Sequence, residues 1–151
     1  MVFNVRASLN AIESVLKRTG YFGAGTQQGE PKSPPVGDLF AAVWMDRVAV
    51  YSLTLNGTIE AHVVTVRMYR RDLQEPRERA EDELSRAVLA VQDLLMADVD
   101  LGGAVRNVDA GGQTGQSFGV EMGHIEMGGV KFRVADMRVP LIVDDSAALA
   151  A

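Results

Sequence analysis

The chain has 151 residues, the size of one domain, and its 47% hydrophobic and 23% charged residues are the proportions of a globular protein. It contains no cysteine, which excludes disulfides, thiolate metal sites and a Cys nucleophile. The net charge of −5 is opposite in sign to that of a protein that grips nucleic-acid phosphates, and no apolar stretch approaches the roughly 20 residues of a membrane span. We therefore expect a soluble, intracellular protein with one domain over residues 1–145 and a flexible tail at 146–151.

The first element is an amphipathic helix. Phe3, Val5, Leu9, Ile12, Val15 and Leu16 recur at spacings of three and four, which makes one apolar stripe. Lys17 and Arg18 complement the negative end of its dipole, and Gly20 supplies the stop. A loop follows from about residue 21 to 37, dense in Gly23, Gly25, Gly29, Pro31, Pro34, Pro35 and Gly37. Loops this long in compact domains are usually functional or disordered. Two strands are then expected, Leu39 to Met45 and Arg47 to Leu55, the second alternating Val48, Val50 and then Leu53 and Leu55. Asn56-Gly57 reads as a two-residue hairpin turn into a β-branched run from Thr58 to Arg70.

A second helix is expected from Pro76 to Ala97. Pro76 suits its first turn, Glu78, Glu81, Asp82 and Glu83 load its positive end, and Ala80, Leu84, Ala87, Val88, Val91, Leu94 and Leu95 form its stripe. The last third reads as β-rich: Ala104 to Val108, then Ser117 to Met127 and Val130 to Val143 around a Gly128-Gly129 turn. Val130, Phe132 and Val134 alternate, but Met137, Val139 and Leu141 carry the series in the other phase, so a bulge is expected near Ala135. Hairpins segregated from helices predict an α+β fold, a mostly antiparallel sheet with two principal helices packed on it.

The residues that carry chemistry are sparse. His62 and His124 have no second histidine at ligand spacing. The run from Gly23 to Gly29 has the wrong spacing for a dinucleotide fingerprint and follows a helix, and no Gly-Lys-Ser/Thr loop exists. Ser117 has no nucleophile-elbow context. Neither catalytic residue, cofactor nor metal is expected. Arg67, Arg70 and Arg71 form a basic cluster, which pairs with the acidic helix start on one reading and faces phosphate or an acidic partner surface on the other.

What remains favours assembly. Hairpin edges must be paired, covered or charged, and a partner strand can add to them. Rings need head-to-tail contacts between two different faces. The residues taken as candidates for subunit or partner contacts are Gly23, Gly25, Pro34, Asn56, Gly57, Arg67, Arg70 and Gln113.

In arrangement the chain resembles the tail terminator, or tail-completion, proteins of long-tailed bacteriophages. The residues that carry the likeness are Val5-Arg6-Ala7-Ser8-Leu9-Asn10-Ala11-Ile12, the strand end Val66-Arg67-Met68-Tyr69, and the helix end Ala90-Val91-Gln92-Asp93-Leu94-Leu95. It continues through Asp100-Leu101-Gly102-Gly103-Ala104-Val105 and Gly128-Gly129-Val130-Lys131-Phe132-Arg133-Val134-Ala135 to Val139-Pro140-Leu141, about residues 3 to 143 in all. The resemblance implies a virion protein at the head-proximal end of the tail, assembled in the host cytoplasm. It implies a hexameric ring that caps the tail tube protein, stops its polymerisation and meets the head–tail connector protein. DNA would pass through the lumen without specific binding, and no membrane is involved. Alternatives are a tail tube or minor tail subunit, a neighbouring stopper or adaptor, or an enzyme with the glycine loop as its lid.

Overall fold

A computed structural model describes residues 5–54, 57–72, 77–98, 100–103 and 105–144. Phe3, Asn56, Pro76 and the expected 146–151 tail lie outside them. The fold is α+β, with two helices on one six-stranded, mostly antiparallel sheet.

The first helix, α1, spans Val5–Arg18. Leu9, Ile12, Val15 and Leu16 are buried, as their spacing requires. The helix closes where the Thr19 hydroxyl donates to the Leu16 carbonyl at 2.7 Å and Gly20 N–H to that of Lys17 at 3.3 Å. The second, α2, spans Arg77–Ala97 and buries Leu84, Ala87, Val91 and Leu95. Both stripes meet the same side of the sheet, here the helix face, in one core with Ala41, Val43, Val64, Val66, Met68, Met137, Val139 and Leu141. Burying each large aliphatic side chain there stabilises by about 1.5–3 kcal/mol.

The strands are β1 (Thr26–Gln28), β2 (Leu39–Thr54), β3 (Gly57–Arg71), β4 (Asn107–Val108), β5 (Gly119–Met127) and β6 (Val130–Asp144). Their order is β1-β2-β3-β6-β4, and β5 also pairs with β6. Four differences from the sequence expectation have physical causes. First, the two strands expected between Leu39 and Leu55 are one, because bulges between Met45 and Arg47 and between Val50 and Ser52 absorb the irregular residues without ending the ladder. Second, Gly57 pairs with Thr54 as the first residue of β3 rather than serving as a turn residue, while Asn56 lies outside the described residues. Third, the expected loop contains β1, which pairs in parallel with Ala41 to Val43. Fourth, the strand expected at 104–108 shrinks to β4, after a short 3-10 turn at Leu101–Gly103.

The expected bulge near Ala135 is also absent. From Phe132 to Asp144, β6 pairs with β3 residue by residue, and from Val130 to Arg138 it pairs with β5 without a shift. The apolar phase changes because the covered face changes. Ala135, Met137, Val139 and Leu141 lie under the helices, whereas Phe132 and Val134 join Ala42 and Tyr69 in a second core on the far face. Tyr69 stacks edge-on against Phe40 and Phe132, with ring centroids at 6.1 and 5.8 Å.

The Gly/Pro-rich segment reaches over this second core. Pro35 is buried and its carbonyl accepts a hydrogen bond from Arg71 Nη2 at 3.1 Å. The Pro34 ring lies so near the β5–β6 turn that a Cβ on Gly128 would come within 3.0 Å of it. That turn is the expected Gly128-Gly129 pair, with φ of 56° and 79° closing Met127 against Val130.

Candidate assembly surface

Beyond Met45 the strand β2 runs past the helices along the edge of the sheet, paired to the first residues of β3, which from Ile59 on are themselves paired to β6; this edge segment forms the arm. Val48, Val50 and Leu53 stand opposite His62, Glu60 and Thr58. Since successive strand residues alternate sides, those partners place all three on the helix face. The bulge between Val50 and Ser52 makes this possible, because without the extra residue Leu53 would turn to the far face. The helices do not cover them: Val48 is 51% exposed, Val50 65% and Leu53 78%. Three aligned apolar side chains on one face form a patch rather than scattered exposure. At the root of the arm His62 is buried, with Nε2 at 3.4 Å from Glu60.

The sheet also has open edges. Among the described residues, no strand pairs with the outer edge of β2 beyond Val43, nor with the outer edge of β5 along Gly119–Met127. Open edges are templates for another chain.

The structure does not bring the eight sequence candidates together. Arg67 and Arg70, three apart in one strand, point to opposite faces. On the far face, Arg67 forks onto Asp136 at 2.6 and 3.0 Å, reaches Glu30 at 3.4 Å and lies 5.4 Å from the Trp44 ring centroid. The hydrogen bond to Asp136 raises the Arg67 pKa, against the effect of burial. Burial pushes the neighbouring Tyr69 hydroxyl up, with the Arg67 charge pulling it partly back. On the helix face, Arg70 is buried and donates to Glu83 at 2.9 Å and to the Arg71 carbonyl at 2.8 Å. Its ladder partner Arg133 forms an ion pair with Glu81 at 3.1 Å. The two arginines thus fasten the acidic start of α2 to the sheet, but of the clustered Arg67, Arg70 and Arg71 only Arg70 does so, since Arg67 pairs with Asp136 and Arg71 bonds the Pro35 carbonyl. No single basic patch exists at 67–71.

The remaining candidates are internal or at the margin. A Cβ on Gly25 would come within 3.0 Å of the Leu39 and Phe22 carbonyl oxygens, so this glycine lets the loop approach β2. Pro34 is spent on its contact with Gly128. Gly23 and Gln113 are exposed, and Gln113 N–H donates to Asp109 at 2.8 Å. Asp109 is buried, which works to raise its pKa. Hydrogen bonds from the Thr114 hydroxyl at 2.6 Å and the N–H groups of Thr114 and Gln113 outweigh this and hold the carboxyl below its ordinary range. Only Gly57 belongs to the arm, and Asn56 beside it lies outside the described residues. Sequence reasoning misses Val48, Val50 and Leu53 as contact residues. Alternating valines read as a buried face, and only the end of the helices relative to the sheet shows otherwise.

A cleft lined by Asp72, Glu81, His124, Glu126, Lys131 and Arg133 has charges of both signs, and Glu81 and Arg133 are committed to each other. Among the described residues no three His, Asp or Glu side chains come together as a metal-holding group, and no helix is long and apolar enough to cross a membrane. No protein-family model matches the chain, and no curated protein matches it by sequence.

Proposed function

We propose that the protein is a structural assembly subunit of the tail-terminator type. It forms a ring that caps a tail tube, stops its growth and presents a surface to the connector under the head. The single observation that supports this reading most is the exposed arm on a sheet with two open edges. A ring of identical subunits needs two different, mutually complementary surfaces, and the two edges provide them on opposite flanks of one sheet. The net charge of −5 suits a passage through which DNA slides without adhering.

Negative-stain imaging of the purified protein with tail tubes tests the proposal. The expected result is a single ring at one tube end and an arrest of tube growth. A species that stays monomeric at every concentration and never joins tube ends would sink it. Open edges on both flanks also suit a tail tube subunit. That reading is favoured instead if the particle size keeps growing with concentration rather than stopping at one ring.

A further inference from the structure

We infer that in the free protein two copies of the chain pair antiparallel through the outer edges of their arms, with Val50 facing the second copy's Val50 across a twofold axis. The inference goes beyond the ring reading and does not depend on it. Main-chain orientation, register and side-chain chemistry carry it.

The edge is oriented to accept such a partner. Where β1 lies beside β2, the Ala41 N–H donates to the Gly25 carbonyl at 2.9 Å and the Val43 carbonyl accepts from Gly29 at 2.8 Å. These two residues of β2 face the helices and turn their N–H and C=O groups outward. They stand opposite Met68 and Val66. Two-residue steps along β3 carry the same orientation to Val48, Val50 and Leu53, opposite His62, Glu60 and Thr58. Among the described residues no strand takes up their outward groups.

Three conditions fix the register. Residues directly opposite in an antiparallel pair turn the same way, so Val48, Val50 and Leu53 must meet one another. A twofold axis at Ala49 would set Thr54 opposite Trp44 and drive the second copy's hairpin end against Gln28 and Gly29, which hold the edge beside Val43. An axis at Ser52 would leave Val48 beyond the end of the second copy's β2. An axis at Val50 avoids both. It pairs Val50 with Val50 and each Val48 with a Leu53, and it ends at Arg47 opposite Thr54, short of the edge that β1 occupies. The extra residue between Val50 and Ser52 then bulges against both neighbours alike.

Six apolar side chains come together on the helix face, and no like charges are opposed. Three exposed aliphatic side chains and one strand edge from each copy cover on the order of 1,000 Å² in all, the lower bound of a specific interface, which suits a reversible pair in the micromolar range. The contact is isologous, so it consumes the arm edge of both copies and ends at a dimer. It hides an apolar edge that is a hazard in a lone subunit. A ring that uses the same edge closes only after the pair has opened.

The absence of cysteine makes the test clean. Val50→Cys places two thiols across the axis at a Cα separation of roughly 5.5 Å, which a disulfide spans. Mild oxidation of the free protein is expected to give a covalent dimer and nothing larger. Val36→Cys, at an 87% exposed valine beside the start of β2, should give none under the same conditions. Equal linking of the two variants, or a dimer that never links through Val50→Cys, overturns the pairing. Sedimentation gives the second readout. The wild type should form a dimer that dissociates on dilution, and Val50→Lys, which sets two like charges across the axis, should raise its Kd at least about tenfold at unchanged thermal stability. An unmoved Kd, or a wild type that stays monomeric up to millimolar concentration, overturns the pair. Imaging on tail tubes judges the ring separately: rings without a free dimer overturn the pair alone, and dimers without rings overturn the ring reading alone.

Discussion

The two halves of β2 differ in what covers them. From Leu39 to Met45 the strand lies between two cores: Ala41 and Val43 face the helices, and Ala42 faces the aromatic cluster under the Gly/Pro segment. From Arg47 onward the unbroken apolar run gives way to a mixed one, the helices no longer reach it, and Val48, Val50 and Leu53 are among the most exposed large apolar residues described. The body's apolar run is thus spent on stability, whereas on the proposed reading the exposed valines and leucine of the arm serve another surface.

Mutations test that division, beginning with the largest effect. Leu84→Asp places a charge where α2 meets the sheet, at a fully buried position. It should cost on the order of 4 kcal/mol or more, seen as loss of the cooperative thermal transition. A variant that melts normally would show that the helix-face core is not where stability resides. Next, Asp109→Ala strips the acceptor from Thr114 and Gln113 and should cost about 1–3 kcal/mol by denaturant titration. The same carboxylate has a depressed pKa in the fold. Its contribution is therefore present above the unfolded carboxylate value and is lost as pH falls through the folded one, so the wild type should lose this increment in acid and the Ala variant should have none to lose. Stability that rises on acidification would contradict it.

Gly57→Val comes third. Gly57 holds φ at 147°, a conformation that suits glycine, and a β-branched residue there should lower stability by about 1–3 kcal/mol while the body stays folded. An unchanged melting temperature would show that the glycine conformation at the start of β3 is not needed. The smallest effect on stability is the most telling for the comparison. Leu53→Asp should leave the isolated subunit within about 0.5 kcal/mol of wild type, because Leu53 is 78% exposed, yet it should abolish assembly. If it unfolds the subunit instead, the arm belongs to the body after all.

How much of the fold and of the assembly surface is legible in the amino-acid sequence depends on what each residue type reports. The helices are legible, because a stripe such as Leu9, Ile12 and Leu16 has only one periodic explanation. So is the β5–β6 turn, because Gly128-Gly129 between alternating strands names its own conformation. β1 is not, since Thr26, Gln27 and Gln28 carry no apolar alternation. What holds them is tertiary: Thr26 donates to Glu13 of α1 at 2.9 Å, and Gln28 bonds Asn10 on the same helix. The phase change at Ala135 is visible but points to the wrong cause, because a bulge and a change of covered face leave the same trace in one strand. The opposite orientations of Arg67 and Arg70 follow from strand parity alone, which nearness in sequence obscures. The arm residues are hidden for a deeper reason: exposure is set by where the helices end relative to the sheet, and no local pattern records that.

The position of β6 has a consequence for how the chain is made. It follows every other strand in sequence yet lies between β3 on one side and β4 and β5 on the other. Until β6 has left the ribosome, β3 has a bare flank and β5 has no ladder at all, so the sheet cannot close before that strand is made. On the proposed reading, a chain would therefore be ready for assembly only once β6 has joined its sheet.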